Sequence, residues 1–303
     1  MKQTDMICIL LSIIILGLIL FIIKNKVDNF EYNKDLKVKN PIQGFTIESG
    51  QVYNLSKSST LIGKLTINKG GTLNISADLT IKTGHINCDG GIINMKSGIL
   101  AIFNSGKFSI HLLKSNLNVI GGTITISNTT SSNKGSIGIM LDNSTMKLSS
   151  SGKINVQNTN GTNGIYLKSS KFDVTGGTAT VSNAETTSVS TGIFLDNSTM
   201  SLSLSGIINV QNTNNTYGIY LKSSKFDVTS GTLTISNKGS YGIYLNNSIM
   251  KLSSAGNIKV HNTNSTYGIY LIKSSKLDVT GGTICGSGGI SSDLYIFFTL
   301  KPC

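Results

Sequence analysis

Five aspartates stand where a sugar-cleaving pair could be built. Asp142 and Asp196 each close a Gly-Ile-x-Leu-Asp run, and Asp173, Asp227 and Asp278 each sit between two apolar residues. Two carboxyl groups flanking a glycosidic bond, one giving a proton and one activating water, are the usual machinery of glycoside hydrolysis, and inversion needs them about 6.5–9.5 Å apart. Lysine and serine interrupt the series. Lys168 falls between Asp142 and Asp196, and Ser201 between Asp173 and Asp227. A cation in that place works against a general acid, which must keep its proton at neutral pH. The five aspartates therefore read as a surface ion-pair ladder, and no residue is assigned a catalytic role.

A second set has binding chemistry. Tyr166, Phe194, Tyr220, Tyr244 and Tyr270 each follow a Gly-Ile pair, with Met140 at the head of the series. Aromatic rings repeated at one position could make a platform for sugar rings or for a partner protein. The structural alternative is that the rings stack on one another beneath the Asn/Thr-rich segments, such as the one before Gly218.

Cysteine and histidine offer less. Cys8 lies in an apolar run, Cys88 reads as a small buried residue, and only Cys285 and Cys303 are placed to pair, in an oxidising compartment. His85, His111 and His261 stand apart with no metal-ligand spacing, so neither a metal site nor a cofactor is expected. The net charge is +12, yet every basic residue is lysine. Readers of nucleic acid favour arginine for its two-pronged contacts, and no lysine cluster interleaves with aromatics, so a nucleic-acid partner is not expected.

These residues owe their positions to a repeat. The glycines at 138, 164, 192, 218, 242 and 268 open six copies of one unit at spacings of 26, 28, 26, 24 and 26 residues. The first five read GIMLDNSTMKL, GIYLKSSKFDV, GIFLDNSTMSL, GIYLKSSKFDV and GIYLNNSIMKL. The sixth, GIYLIKSSKLDV, carries one extra residue, placed at Ile272 by simple alignment. Inside a unit, Ile219 and Leu221 alternate with Tyr220 and Lys222, and the same period of two returns at Phe226–Val228 and Leu233–Ile235. Three short strands per unit, joined by Ser/Gly/Asn turns, predict an all-β chain coiled as a parallel β-helix with turns about 4.8 Å apart. Stacking makes equivalent positions neighbours. Ile and Leu recur identically inside, whereas outside the charges alternate, as Asp142, Lys168, Asp196, Lys222, Asn246 and as Lys147, Asp173, Ser201, Asp227, Lys251, Asp278. Like charges at that separation repel by about 1 kcal/mol even in water, which explains a true period of two units. Asn128, Asn158, Asn183, Asn212, Asn237 and Asn262 end the third strand and predict an asparagine ladder.

The unit resembles right-handed parallel β-helices of the pectate-lyase-like superfamily, and its Gly-Gly-Thr-x-x-Ile runs look like adhesin and autotransporter passenger domains. The resemblance spans about four-fifths of the chain and is one of architecture. It implies a right-handed coil. Lyases of that superfamily use an arginine base with calcium, and this chain has no arginine to match it.

Met6–Ile23 is eighteen residues without a charge, followed by Lys24-Asn25-Lys26 rather than a small-residue cleavage site. We read it as an uncleaved, single-pass transmembrane anchor helix within residues 1–26. The excess of lysine after it would hold the body on the cytoplasmic side, whereas nine Asn-x-Ser/Thr sequons point toward export, so orientation stays open. An anchor, a Lys/Asn-rich spacer and a β-domain is also a layout similar to virion membrane proteins of giant viruses. Residues 27–44 read as linker or N-cap, 45–288 as the β-helix with narrower early turns, and 289–303 as a C-terminal cap over the open strand edges.

The function expected from these features is a membrane-anchored, non-catalytic attachment module at a cell surface or virion membrane, meeting carbohydrate or a surface protein through the aromatic ladder. The alternatives are a polysaccharide-binding or -cleaving β-helix enzyme with its site in the irregular early turns, and a ligand-free spacer.

Overall fold

The computed structural model describes residues 42–103, 106–128, 135–158, 161–183, 190–212, 217–262, 267–292, 296–299 and 303. The anchor expected at Met6–Ile23 lies outside them, as does nearly all of the linker. Among the described residues no helix is long and apolar enough to cross a membrane.

One turn of the coil shows how the sequence makes the fold. Tyr217–Lys222, Lys225–Val228 and Thr232–Asn237 are three consecutive strands. Their Cβ atoms alternate, so Ile219, Leu221, Phe226, Val228, Leu233 and Ile235 all point inward and are fully buried. Each strand then pairs in parallel with its counterparts in the neighbouring turns, with Ile219 opposite Ile193 and Ile243, and Leu221 opposite Leu195 and Leu245. The middle strands form a ten-stranded sheet from Val52–Leu55 to Lys276–Val279, and the others join in a second sheet of 21 strands. This is an all-β parallel solenoid. Its single core runs without interruption from Ile47 to Leu271.

The core also carries a two-turn period. Met146, Phe172, Met200, Phe226 and Met250 occupy one inward column, alternating long and flat side chains along the stack. Phe172 and Phe226 are the largest side chains that are fully buried. A methionine between two phenylalanines can bend to fill what rigid rings leave open.

The corner after the first strand is built from the Asn-Ser and Ser-Ser pairs. Asn143, Ser169, Asn197, Ser223 and Asn247 take the left-handed conformation, with φ between 48 and 52°. The serine that follows turns inward. Ser144, Ser170, Ser198, Ser224 and Ser248 are buried, and each Oγ donates to the carbonyl two residues back. Each Oγ also accepts from the backbone N–H of the serine one turn before, at 3.0 Å between Ser170 and Ser198. The hydroxyl thus satisfies a buried N–H and adds a second bond to a carbonyl that a backbone N–H already reaches, as Ser169 N–H reaches Asp196 at 2.9 Å. In the sixth unit Ile272 pairs with Asn246, so the extra residue belongs to the corner, where Ser275 takes the serine position.

Proximity requires the opening glycine in four of the six units. A Cβ on Gly218 would lie 2.5 Å from the Gly242 carbonyl oxygen and 2.6 Å from Ile235 Cγ2, and Gly138, Gly164 and Gly242 are equally confined. The early turns take fewer residues, Leu65–Ile67 pairing with Ile86–Cys88 and Thr72–Ile75 with Ile92–Met95. At the far end Gly286 lies opposite Val260, and the only antiparallel pairing among the described residues joins Gly289–Ser292 to Ile296–Thr299. A disulfide between Cys285 and Cys303 fastens the last residue to the solenoid, the pairing the sequence allowed. Cys88 is free and fully buried, and burial pushes its thiol pKa up.

Candidate binding strip

The outward side of the first strand carries three columns. The central column runs Asn87, His111, Met140, Tyr166, Phe194, Tyr220, Tyr244, Tyr270, Ser291. The five aromatic residues expected to form a ladder therefore sit on consecutive turns. Met140 above them is almost fully buried, and the rings are half-buried rather than fully exposed. Tyr166, Phe194 and Tyr220 stack face to face, with centroids 4.8 Å apart and planes within 16° of parallel. Tyr244 breaks that order by standing at 84° to Tyr220. In the upper strip each ring face meets its neighbour, so the surface offers ring edges and hydroxyls instead of open faces.

A second aromatic column flanks the first. Tyr217, Tyr241 and Tyr267 lie on successive turns, with centroids 5.5 and 5.9 Å apart, and each contacts the ring three residues on in its own strand. Strict alternation would have sent residues three apart to opposite faces. The close passage at Gly218, Gly242 and Gly268 leaves two inward residues side by side, so Tyr217 and Tyr220 emerge together. Phe108 and His111 repeat this pairing near the top of the strip, stacked at 4.9 Å. The repeated Tyr-Gly-Ile-Tyr was the available signal in the sequence. It assigns Tyr217 to the strip rather than to the loop before it.

The third column is the charge ladder. Lys168 Nζ reaches back to Asp142 Oδ2 at 3.1 Å, and Lys222 Nζ to Asp196 Oδ2 at 3.2 Å, as the alternation implied. Tyr166 sits against it. Burial raises the Tyr166 pKa first, and the charges of Asp196 and Asp142 and a hydrogen bond to Asp196 raise it further. Tyr217 is also raised, by burial and then by Tyr220 and Tyr241. Asn246, last in the ladder before Ile272, donates to the Tyr220 hydroxyl at 3.2 Å.

The other expected ladders take different forms. Lys147, Asp173, Ser201, Asp227, Lys251 and Asp278 do stack in register on the middle strands. Their ion pairs, however, lie within single strands, from Lys171 to Asp173 at 2.8 Å, Lys225 to Asp227 at 2.5 Å and Lys276 to Asp278 at 3.4 Å. Only Ser201 links turns, donating to Asp173 at 2.7 Å. A lysine two residues away on the same face stands about 6.6 Å along the strand, farther than the ~4.8 Å between turns but within reach of its long stem. Asn128, Asn158, Asn183, Asn212, Asn237 and Asn262 are also in register. Of these the side chains of Asn128 and Asn237 are described, and they bond to Ser109 Oγ and the Tyr241 carbonyl. A further amide ladder stands on the middle strands of the early turns, where Asn74, Asn94 and Asn118 each donate to the asparagine before, from Asn54 on, at 2.8–2.9 Å. It is the upward continuation of the Lys147–Asp278 column.

Two histidines separate in sequence come near each other here. His111 bonds Asn87 Oδ1 at 3.1 Å. Burial lowers the pKa of both His85 and His111, and Lys64 and the charge of His111 lower His85 further.

No family model matches the chain, and no curated protein matches it either. Among solved structures it is similar to the crystal structure of a TibC-catalyzed hyper-glycosylated TibA55-350 fragment, at 14% identity, with 82% of this chain and 97% of that one covered and a TM-score of 0.26. A likeness of that size says nothing about what the strip binds.

Proposed function

We propose that the protein is a membrane-anchored, non-catalytic solenoid that serves as a surface attachment module, with the aromatic strip as its contact face. The observation that carries this reading is the strip itself: eight half-buried aromatic rings on a rigid parallel scaffold, bordered by a row of Asp, Lys and Asn side chains. Ring edges and phenolic hydroxyls suit a partner lying along the stack, such as a glycan chain or a strand of a surface protein. The aspartates favour the same reading over hydrolysis, because each is engaged by a lysine and separated from the next in its column by a Lys or Ser. A right-handed coil of the pectate-lyase-like kind, anchored through Met6–Ile23 in a cell or virion membrane, completes the proposal.

A glycan-binding screen run beside a polysaccharide cleavage assay tests it, on the full chain and on a variant with Phe194, Tyr220 and Tyr244 changed together to Ser. Binding without cleavage, lost in the variant, is expected. Since stacked pairs contribute about 0.5–1.5 kcal/mol each, the variant should melt several degrees lower yet stay folded. Cleavage by the native chain, or unchanged binding by the folded variant, would overturn the reading. Protease protection of the intact chain in sealed vesicles tests the anchor.

A further inference from the structure

Six of the ten tyrosines in the chain gather in one place: Tyr217, Tyr220, Tyr241, Tyr244, Tyr267 and Tyr270. Tyr244 is the hub, with its centroid 4.9 Å from Tyr217, 5.1 Å from Tyr220, 5.0 Å from Tyr241 and 5.7 Å from Tyr270. Its ring is inclined to the first three by 55 to 84°, which turns an edge of one ring toward the next. Tyr241 and Tyr270 repeat the relationship at 5.1 Å and 35°. Backbone pairing in register holds all three turns, so phenols on consecutive turns meet at high effective concentration.

We propose that this cluster is an oxidative cross-linking site, at which a haem peroxidase with hydrogen peroxide couples tyrosines on consecutive turns into dityrosine. Each of two phenols gives one electron to the oxidised haem and its hydroxyl proton to water, leaving a tyrosyl radical. The two radicals join through ring carbons next to the C–O bonds. The hydrogens on those carbons then pass through water to the two oxygens, restoring both phenols. In sum, two tyrosines and one hydrogen peroxide give one dityrosine and two waters. The half-exposed edge of any ring can be oxidised first, and contact along the cluster passes the vacancy inward. Tyr166 is outside the reactive set, because its stacked neighbour below is Phe194, which has no phenol. The product is a covalent staple between turns otherwise held by hydrogen bonds and packing. This chemistry does not depend on whether the strip binds a ligand.

The geometry makes the test clean. Lys222, Lys238, Lys251, Lys259 and Lys273 divide the three tyrosine pairs among different lysine-cleaved peptides. The full chain, dilute in mild detergent, is treated with a haem peroxidase and hydrogen peroxide. Dityrosine fluorescence is recorded, and the digested monomer is searched by mass spectrometry for joined peptides lighter by two hydrogens. Links between the peptide carrying Tyr241 and Tyr244 and those carrying its neighbours are expected. Tyr244→Phe, which keeps the ring and its packing, should reduce the monomer signal at least threefold, and Tyr53→Phe should leave it unchanged. Dityrosine confined to dimers, links that map to Tyr53 or Tyr166, or full yield from Tyr244→Phe would each overturn the proposal.

Discussion

Lys222 Nζ lies 3.2 Å from Asp196 Oδ2, one turn back, so this ion pair runs along the stack. Three residues later Lys225 does the reverse and pairs with Asp227 inside its own strand. The same residue type thus ties turns together in one column and only decorates a strand in the next. Lys222→Asp removes the pair and sets a second negative charge beside Asp196. It should cost about 1 kcal/mol by urea denaturation and less at high salt. Lys64→Asp, outside the regular columns, should cost less. Equal losses from the two would mean that the charges do not act across turns.

The buried serines carry a larger share than their exposed counterparts. Ser198 Oγ accepts from the Ser170 N–H at 3.0 Å and donates to the Asp196 carbonyl at 2.8 Å. Ser198→Ala leaves the Ser170 N–H unpaired in the interior, while the Asp196 carbonyl keeps the Ser169 N–H at 2.9 Å, and should cost about 1–3 kcal/mol. Ser205→Ala, on an exposed turn, should stay within about 0.5 kcal/mol. Denaturation midpoints for the pair check this, and matching values would remove the serine column from the account of stability.

Gly218 is expected to be less tolerant than its backbone angles suggest. Alanine there would place a methyl 2.5 Å from the Gly242 carbonyl oxygen. The backbone oxygen has no rotamer to escape into, so Gly218→Ala should cost about 1–3 kcal/mol or more. Leu221→Ala, in the same strand, should cost about 2–5 kcal/mol. Thermal melts in which Gly218→Ala matched the native chain would show that the turns can part locally.

The half-buried His85 and His111 predict an acid-side loss of stability. Their folded pKa values are lowered, chiefly by burial, so the unfolded chain takes up protons first as the pH falls. Stability is therefore complete above the ordinary imidazole value of about 6.5 and declines as the pH drops below it toward the lowered folded values. The combined change His85→Gln and His111→Gln should flatten the melting temperature between about pH 7.5 and 5. A native-chain melting temperature that did not change over that range would contradict the assignment.

The alternation of Ile219 and Leu221 with Tyr220 and Lys222 was enough, from sequence, to establish the coil, the inward columns and the Lys222–Asp196 pair. Each of these follows from two local rules: Cβ atoms alternate along a strand, and identical units that stack put equal positions side by side. What those rules do not reach was decided in three dimensions. Whether Lys225 bends to its own strand or to the next turn depends on distances between strands that the order of residues does not contain. Tyr217 joins the strip because the backbone closes tightly at Gly218, which suspends the alternation for one residue. The serine column was hidden because a hydroxyl in a turn motif looks the same whether it faces water or a buried amide. The aromatic ladder was legible as a column, but only the packing of neighbouring turns determined that its upper rings meet face to face. Ring spacing there equals the distance between strands, and a flat ring at that spacing covers its neighbour.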